Sequence, residues 1–150
     1  MINILRSALL LSFLLAQNAF ASDLIMARSS LSFSETMTNL QVSLKEHGYT
    51  VARVQRIDIG LTGMGYNTDK YRVVFVGKSD EMKYLSAKYP KMIPYLPPKL
   101  AMFAEGDDTL LVTANPNAFA QMIEDKKDLV IFDRWESDIH SVFSDVRNAE

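Results

Sequence analysis

The sequence contains no cysteine among its 150 residues, and it has only six glycines and five prolines. Without cysteine no disulfide can form, so the fold has to be stabilised by side-chain packing. The low content of glycine and proline, together with 48% hydrophobic residues, excludes a disordered chain. The composition therefore predicts a globular protein with an apolar core.

Long hydrophobic runs are also scarce, and the longest one lies near the N-terminus. Arg6 precedes an apolar run over Ala8–Ala16, and Ala19-Phe20-Ala21 follows it. A basic start, an apolar centre and two small residues at this spacing are typical of a secretory signal peptide. We predict that residues 1–21 are removed between Ala21 and Ser22, with Ala19 and Ala21 recognised by the peptidase, and that the protein is periplasmic or secreted. The alternative is a retained anchor, but the run has about half of the ~20 residues that a spanning helix needs.

Basic residues do not outnumber acidic ones. The chain has 16 basic and 18 acidic residues, and removal of residues 1–21 takes away Arg6 and no acid. The remaining net charge near −3 offers no electrostatic footprint for nucleic acid or anionic lipid. We therefore expect no nucleic-acid partner and no membrane association after cleavage. Residues 22–150 have the length of one domain.

Hydrophobic periodicity in residues 22–150 predicts the element order β-α-β-β-α-β-β-α. Ser32 and Glu35 have the spacing of a capping box, Gly48 stands where the first helix should end, and Ser79 is the expected cap of the second helix. A further helical stretch starts at Asn115-Pro116. The predicted strands are residues 23–29, 49–59, 70–77, 99–104 and 109–114. The last helix ends near Arg147 and carries one apolar stripe of Phe132, Trp135, Ile139, Val142, Phe143 and Val146.

Two connections have distinct sequence signals. The alternation of the second strand slips near Ala52–Gln55, which predicts a bulge. Residues 60–69 are predicted to be a turn, and Glu105-Gly106-Asp107-Asp108 has the composition of a hairpin turn.

The strands are apolar on both sides. In residues 71–76, Tyr71, Val73 and Phe75 alternate with Arg72, Val74 and Val76. An antiparallel sheet with helices on one side usually shows polar residues on the other, so this pattern predicts that the second face is covered too. The cover is the C-terminal helix, a second copy of the protein or an apolar ligand.

Several segments resemble the bacterial and archaeal domain-of-unknown-function family 302. They are residues 33–36, residues 45–51, residues 70–75, the run Leu96-Pro97-Pro98 to Phe103, and Asn115-Pro116, and the similarity spans Leu24 to Val146. The resemblance implies an α+β fold of the TATA-binding-protein-like type, with a curved antiparallel sheet backed by helices, and members that form homodimers. The chain departs from the family at Gly77-Lys78-Ser79-Asp80, where many members have a Cys-Asn-Pro-like segment. A function tied to that cysteine would not transfer. The fold name does not imply DNA binding, which the acidic charge and the export signal oppose.

The glycine-rich segment 60–65 is a candidate phosphate loop. A phosphate site would need these glycines to open a helix, whereas Asn67, Asp69 and a strand follow them, so a flexible loop is favoured. Such a loop is compatible with a lid over a pocket. Tyr95 belongs to a rigid segment rich in tyrosine and proline that would rim a pocket, form a dimer contact or pack over the sheet. We predict Gly63, Gly65, Tyr66 and Tyr95 as pocket or lid residues.

His47 and His140 are the only histidines, and His47 is the candidate cofactor ligand, with solvated surface histidines as the alternative for both. No paired-ligand spacing predicts a metal site, and the seven methionines after residue 21 are spread through apolar patterns rather than clustered for copper. No Gly-x-Ser-x-Gly elbow is present, Asp107 and Asp108 are turn formers, and no catalytic residue is predicted.

Taken together, the patterns predict an exported homodimeric module that binds a small apolar ligand or a cofactor of unknown identity. The alternative is a haem- or metal-dependent redox accessory protein or enzyme that uses His47 or His140.

Overall fold

The computed structural model describes residues 23–149, so the predicted signal peptide and its cleavage site at Ala19, Ala21 and Ser22 lie outside the described residues. The strands are β1 (Leu24–Ser29), β2 (Thr50–Arg56), β3 (Tyr71–Gly77), β4 (Lys99–Glu105) and β5 (Asp108–Ala114), and the α-helices are α1 (Phe33–Glu46), α2 (Ile57–Gly63), α3 (Ser79–Lys88) and α4 (Leu129–Arg147). Short 3₁₀ helices cover Pro90–Tyr95, Pro116–Met122 and Lys126–Asp128. Across residues 23–149, no helix combines the length and the apolar character needed to cross a membrane.

The five strands form one antiparallel sheet in the order β1-β5-β4-β3-β2. The register places Leu24 beside Ala114 and Thr50 beside Gly77 at one end of the sheet, which we call the cavity end. Glu105 pairs with Asp108 at the opposite end, the hairpin end, and Gly106 turns the chain there with φ of 63°. A single antiparallel sheet backed by helices confirms the predicted α+β fold.

Helix α1 begins and ends as its local sequence predicts. The Ser32 hydroxyl accepts a hydrogen bond from the Glu35 backbone N–H, and the Glu35 carboxylate accepts one from the Ser32 backbone N–H, which completes the capping box. Gly48 follows the C-cap residue His47 with φ of 78°, a left-handed conformation that favours glycine.

Helix α4 provides most of the helical half of the core. It packs against α1 and β1, and its predicted apolar stripe is confirmed because all six residues are at most 5% exposed: Phe132, Trp135, Ile139, Val142, Phe143 and Val146. The core on the sheet side consists of alternate strand residues, among them Val74, Leu100, Met102 and Leu111, each at most 1% exposed.

Three local predictions were wrong or shifted. The second strand ends at Arg56 rather than residue 59, and α2 occupies residues that were predicted to end the strand and begin a turn. The Asp58 carboxylate accepts a hydrogen bond from Arg72 on β3, and this contact anchors α2 although its glycines are poor helix formers. Lys78, not Ser79, is the N-cap of α3, and no side chain caps that helix. The predicted bulge in β2 is confirmed by the register shift between Val51 and Arg53.

The second face of the sheet is apolar along its centre, as predicted, carries charged residues at its ends and edge, and stays partly exposed. We call it the open face: it consists of the strand residues that alternate with the buried core positions. Met26 is 55% exposed there and Leu24 is 48% exposed. The neighbouring rows are Leu110, Val112, Ala101, Phe103, Tyr71, Val73 and Phe75, all of intermediate exposure. Since α4 packs with α1 against the other face, the C-terminal helix is not the predicted cover.

Candidate functional site

A cavity of about 200 Å³, which we call the aromatic cavity, lies at the cavity end of the sheet. The ends of β4 and β5, α4 and two 3₁₀ helices surround it, and its apolar wall includes Met92, Tyr95, Leu96, Phe119, Trp135 and Ile139. The Tyr95 and Phe119 rings lie 5.1 Å apart between centroids, tilted by 40°. This pair brings aromatic surface from two distant segments to one space.

The segment that carries Phe119 is attached to α4 by a polar cluster. The Asn115 side-chain oxygen accepts a hydrogen bond of 2.9 Å from the Asn117 backbone N–H and so caps the 3₁₀ helix Pro116–Met122. The amide nitrogens of Asn115 and Asn117 each donate to the Glu136 carboxylate over 2.6 Å. Because these bonds join the loop to a long helix, the position of Phe119 is restrained.

Two polar groups of the cavity wall are already hydrogen-bonded. The indole N–H of Trp135 donates to Glu81 Oε2 over 2.6 Å, and Thr113 Oγ1 donates to the Lys99 carbonyl over 2.8 Å. A ligand therefore meets mainly apolar and aromatic surface, with the half-exposed Tyr95 at the edge and Lys99 as the one charged residue of the lining. Such a space suits a small apolar molecule.

A second cavity, of about 410 Å³, lies on the other side of Leu96, and we call it the Lys83 cleft. Ser79, Met82, Lys83 and Ser86 face it from α3, at the spacing of one helix face. Thr50, Ala52 and Gly77 line it from the strands, and Leu96 and Pro97 complete it. Gly77 leaves room for Met82, because a Cβ at Gly77 would lie 3.0 Å from Met82 Cγ.

The predicted cofactor residue His47 lies between α1 and α4, away from both cavities. Its Nε2 is 3.1 Å from Asp145 Oδ2, and Ser43 Oγ donates to the same oxygen over 2.7 Å. Both contacts lower the pKa of Asp145, and the hydrogen bond from Ser43 has the larger effect. His140 is an exposed residue of α4. In the part of the chain that the structure describes, no group of three or more His, Cys, Asp or Glu side chains is arranged to hold a metal ion.

The four predicted pocket or lid residues are not brought together. Gly63 ends α2, Gly65 follows with φ of 88°, and Tyr66 is 62% exposed. These three lie near the hairpin end, where β2 passes into α2, while Tyr95 lies at the cavity end. Tyr95 is the one predicted site residue that lines the aromatic cavity.

Phe119 and Trp135 were not predicted as site residues. Trp135 was assigned to the core stripe of the last helix, and Phe119 had no distinguishing signal. The available clue was the concentration of aromatic and proline residues around Tyr95, which indicated one wall but not the segments opposite it.

The densest polar cluster surrounds Asp128, which is 8% exposed at the beginning of α4. Its carboxylate accepts hydrogen bonds from Tyr89 over 2.6 Å and from Tyr84 over 3.1 Å, and Lys88 Nζ lies 2.8 Å from it. The contact with Lys88 has the largest effect in lowering the pKa of Asp128, and the hydrogen bond from Tyr89 has the next largest. The Lys88–Asp128 contact in turn raises the pKa of Lys88. None of these residues lines either cavity, and the cluster joins α3 to α4.

Comparison with known proteins gives a family and a fold. A family model described as "Domain of unknown function DUF302" matches residues 25–146. The structure is similar to the crystal structure of an uncharacterized conserved protein DUF302 from Bacillus stearothermophilus, with a TM-score of 0.75 and 20% sequence identity over 85% of this chain and 100% of that one. None of the curated proteins matches.

Proposed function

The chain belongs to the DUF302 family, and we propose that it is an exported homodimeric module that binds a small apolar molecule in the aromatic cavity. The observation that carries this proposal is the composition of the cavity wall. Tyr95, Phe119 and Trp135 supply aromatic surface, and the polar atoms of Trp135 and Thr113 are occupied by the protein's own acceptors.

The size of the cavity supports a small ligand. An apolar cavity of about 150 Å³ stays dry and accepts a benzene molecule, so the 200 Å³ here suits about six to ten carbon atoms. Contact with three aromatic side chains and Met92 provides dispersion attraction without a hydrogen bond.

The open face supports the homodimer. Five strands spaced ~4.8 Å apart, with a rise of ~3.4 Å per residue, present about 500 Å² per copy. Two copies face to face would bury about 1,000 Å², the lower limit for a specific interface. We therefore propose a dimer whose interface is at the small end of the range for specific contacts.

The charges at the two ends of the open face are complementary. Glu105 and Asp108 lie at the hairpin end, where Arg28 contacts both of them, and these two carboxylates and one guanidinium leave a net charge of −1. Lys99 and Arg53 both pair with Phe75, nearer the cavity end. A two-fold axis between the faces that runs across the strands would place the acidic end of one copy over the basic end of the other.

Export is supported by the N-terminal sequence, in which Arg6, the apolar run and Ala19-Phe20-Ala21 have the order of a signal peptide. A haem or metal function is not part of the proposal, because neither His47 nor His140 lines either cavity, and residues 23–149 hold no group of three or more His, Cys, Asp or Glu side chains that could bind a metal ion.

Ligand binding can be tested with 1-octanol, an uncharged eight-carbon probe. Trp135 is the only tryptophan and lines the cavity, so its fluorescence should report a saturable titration, which calorimetry would verify. We expect Tyr95→Ala to weaken octanol binding about fivefold or more by removing an aromatic contact. Ile93→Ala is the matched control, since Ile93 lies in the same 3₁₀ helix, is 55% exposed and does not line the cavity. Absence of saturable binding, or equal losses in both variants, would contradict the proposal.

A further inference from the structure

The two cavities meet at one side chain. Leu96 lines both the aromatic cavity and the Lys83 cleft, and the adjacent Pro97 and Pro98 line one each. The two cavities are therefore adjacent, and a molecule that reaches past Leu96 from the aromatic cavity would enter the cleft. The chemistry of the cleft then determines which group that molecule carries at its far end.

The cleft is lined by one charged residue, Lys83, and by no acid. The other two lysines at the ends of α3 have acidic partners: Lys78 contacts Asp138 over 3.1 Å, and Lys88 contacts Asp125 and Asp128. Among residues 23–149 no acidic side chain forms an ion pair with Lys83. In a chain with more acidic than basic residues, the cleft thus presents one cation without a counter-charge.

Hydroxyl groups and apolar atoms complete the cleft. Thr50 and Ser79 contribute hydroxyl groups to the same lining as Lys83, while Met82, Leu96 and Pro97 form an apolar wall. One ammonium with nearby hydroxyls matches a single carboxylate. The apolar wall matches a hydrocarbon chain.

We infer that the ligand is a hydrocarbon with one carboxylate, whose apolar body occupies the aromatic cavity and whose carboxylate contacts Lys83 in the cleft. This inference rests on the proposed function, because the aromatic cavity must first accept an apolar body. The chain length follows from the cavity volume and is about eight carbons.

A comparison of octanoate with 1-octanol tests the apolar site and the carboxylate contact separately, because the two molecules have the same eight-carbon chain and only octanoate is charged. A purely apolar cavity prefers the alcohol, since removing a carboxylate from water is costly. We expect the reverse order, with octanoate bound about three to ten times more tightly than octanol at pH 7 and low salt, the range of a partly exposed charged contact. Added salt should reduce the difference.

Lys83→Gln is the decisive variant, and exposed Lys83 tolerates the change. It should remove the preference for octanoate while octanol affinity stays the same. Lys91→Gln is the matched control, because Lys91 is 76% exposed on the next helix, pairs with Glu124 and lines neither cavity. If wild type binds octanol at least as tightly as octanoate, or if Lys83→Gln keeps the preference, the inference is wrong and the apolar site stands. If neither probe binds, the proposed function fails as well.

Discussion

The Tyr89 hydroxyl donates a hydrogen bond of 2.6 Å to the Asp128 carboxylate and joins the end of α3 to the beginning of α4. Tyr89 is 5% exposed, so its hydroxyl depends on this acceptor. The bond also positions the cavities, because α3 lines the Lys83 cleft and α4 lines the aromatic cavity.

Asp128→Ala should therefore destabilise the fold strongly. It removes the acceptor of Tyr89 and Tyr84 and the partner of Lys88, and we expect the free energy of unfolding to fall by about 2 to 3 kcal/mol. Asp125→Ala is the comparison variant, since Asp125 also contacts Lys88 and caps the 3₁₀ helix Lys126–Asp128 but is 45% exposed, and it should have the smaller effect. Urea denaturation of both variants measures the difference, and equal midpoints would show that the cluster does not stabilise the fold.

Stability should depend on pH at both extremes. The folded protein lowers the pKa of Asp125, Asp128 and Asp145, so these carboxylates stabilise the fold at neutral pH and lose that effect as pH falls below about 4. The folded protein raises the pKa of two other groups. Burial raises the pKa of the Tyr49 hydroxyl, and the hydrogen bond to Asp128 raises the pKa of the Lys88 ammonium. Their contribution is present below pH ~10 and is lost above it, because the unfolded chain releases these protons first.

Urea midpoints measured across the pH range would check this profile. We expect a plateau between about pH 5 and pH 9, with a decrease on each side. Tyr49→Phe should reduce the alkaline decrease, because phenylalanine has no proton to release. A flat profile down to pH 3 would contradict the role of the carboxylates.

The elements predicted correctly are those that local sequence specifies. Ser32 and Glu35 satisfy each other within one turn, and the stripe of α4 repeats at helical spacing. Helix α2 was missed because its anchor is not local: Asp58 bonds to Arg72, which lies on the next strand. The glycines in α2 also lower its helix propensity, so a turn was the natural interpretation.

The candidate site was only partly predictable for the same reason. Tyr95 stood out through its proline-rich segment, but Phe119 and Trp135 reach it through tertiary packing that periodicity does not report. Gly63, Gly65 and Tyr66 belong to the segment predicted as a flexible loop or lid, whereas in the structure α2 ends at Gly63 and Gly65 follows it in the left-handed conformation. The positive charge of the Lys83 cleft could not be predicted, because the sequence does not show which lysines of α3 have acidic neighbours in the fold.

The glycines of this segment give a third prediction. Gly60 lies inside α2, and apart from its chain neighbours and the helix's own backbone no atom lies within 4 Å of the position that a Cβ would occupy there, so Gly60→Ala should stabilise the protein by about 0.5 to 1 kcal/mol. Gly65 has φ of 88°, so Gly65→Ala should destabilise it by about 1 kcal/mol. Thermal unfolding of the Gly60→Ala and Gly65→Ala variants would show whether the first is stabilised and the second destabilised. A destabilising Gly60→Ala would mean that residues 57–63 are not helical in solution.

The dimer gives the last prediction, because it requires the open face to become buried. Met26 is 55% exposed on that face, so Met26→Glu should leave the monomer folded but place a charge in the apolar interface. We expect the dimer dissociation constant to rise at least tenfold, measured by sedimentation velocity across micromolar concentrations. Val130→Glu is the control, because Val130 is 62% exposed on α4, away from the sheet, and should leave the dimer intact. A monomeric wild type at these concentrations, or equal dissociation constants for the two variants, would exclude the open face as the contact between copies.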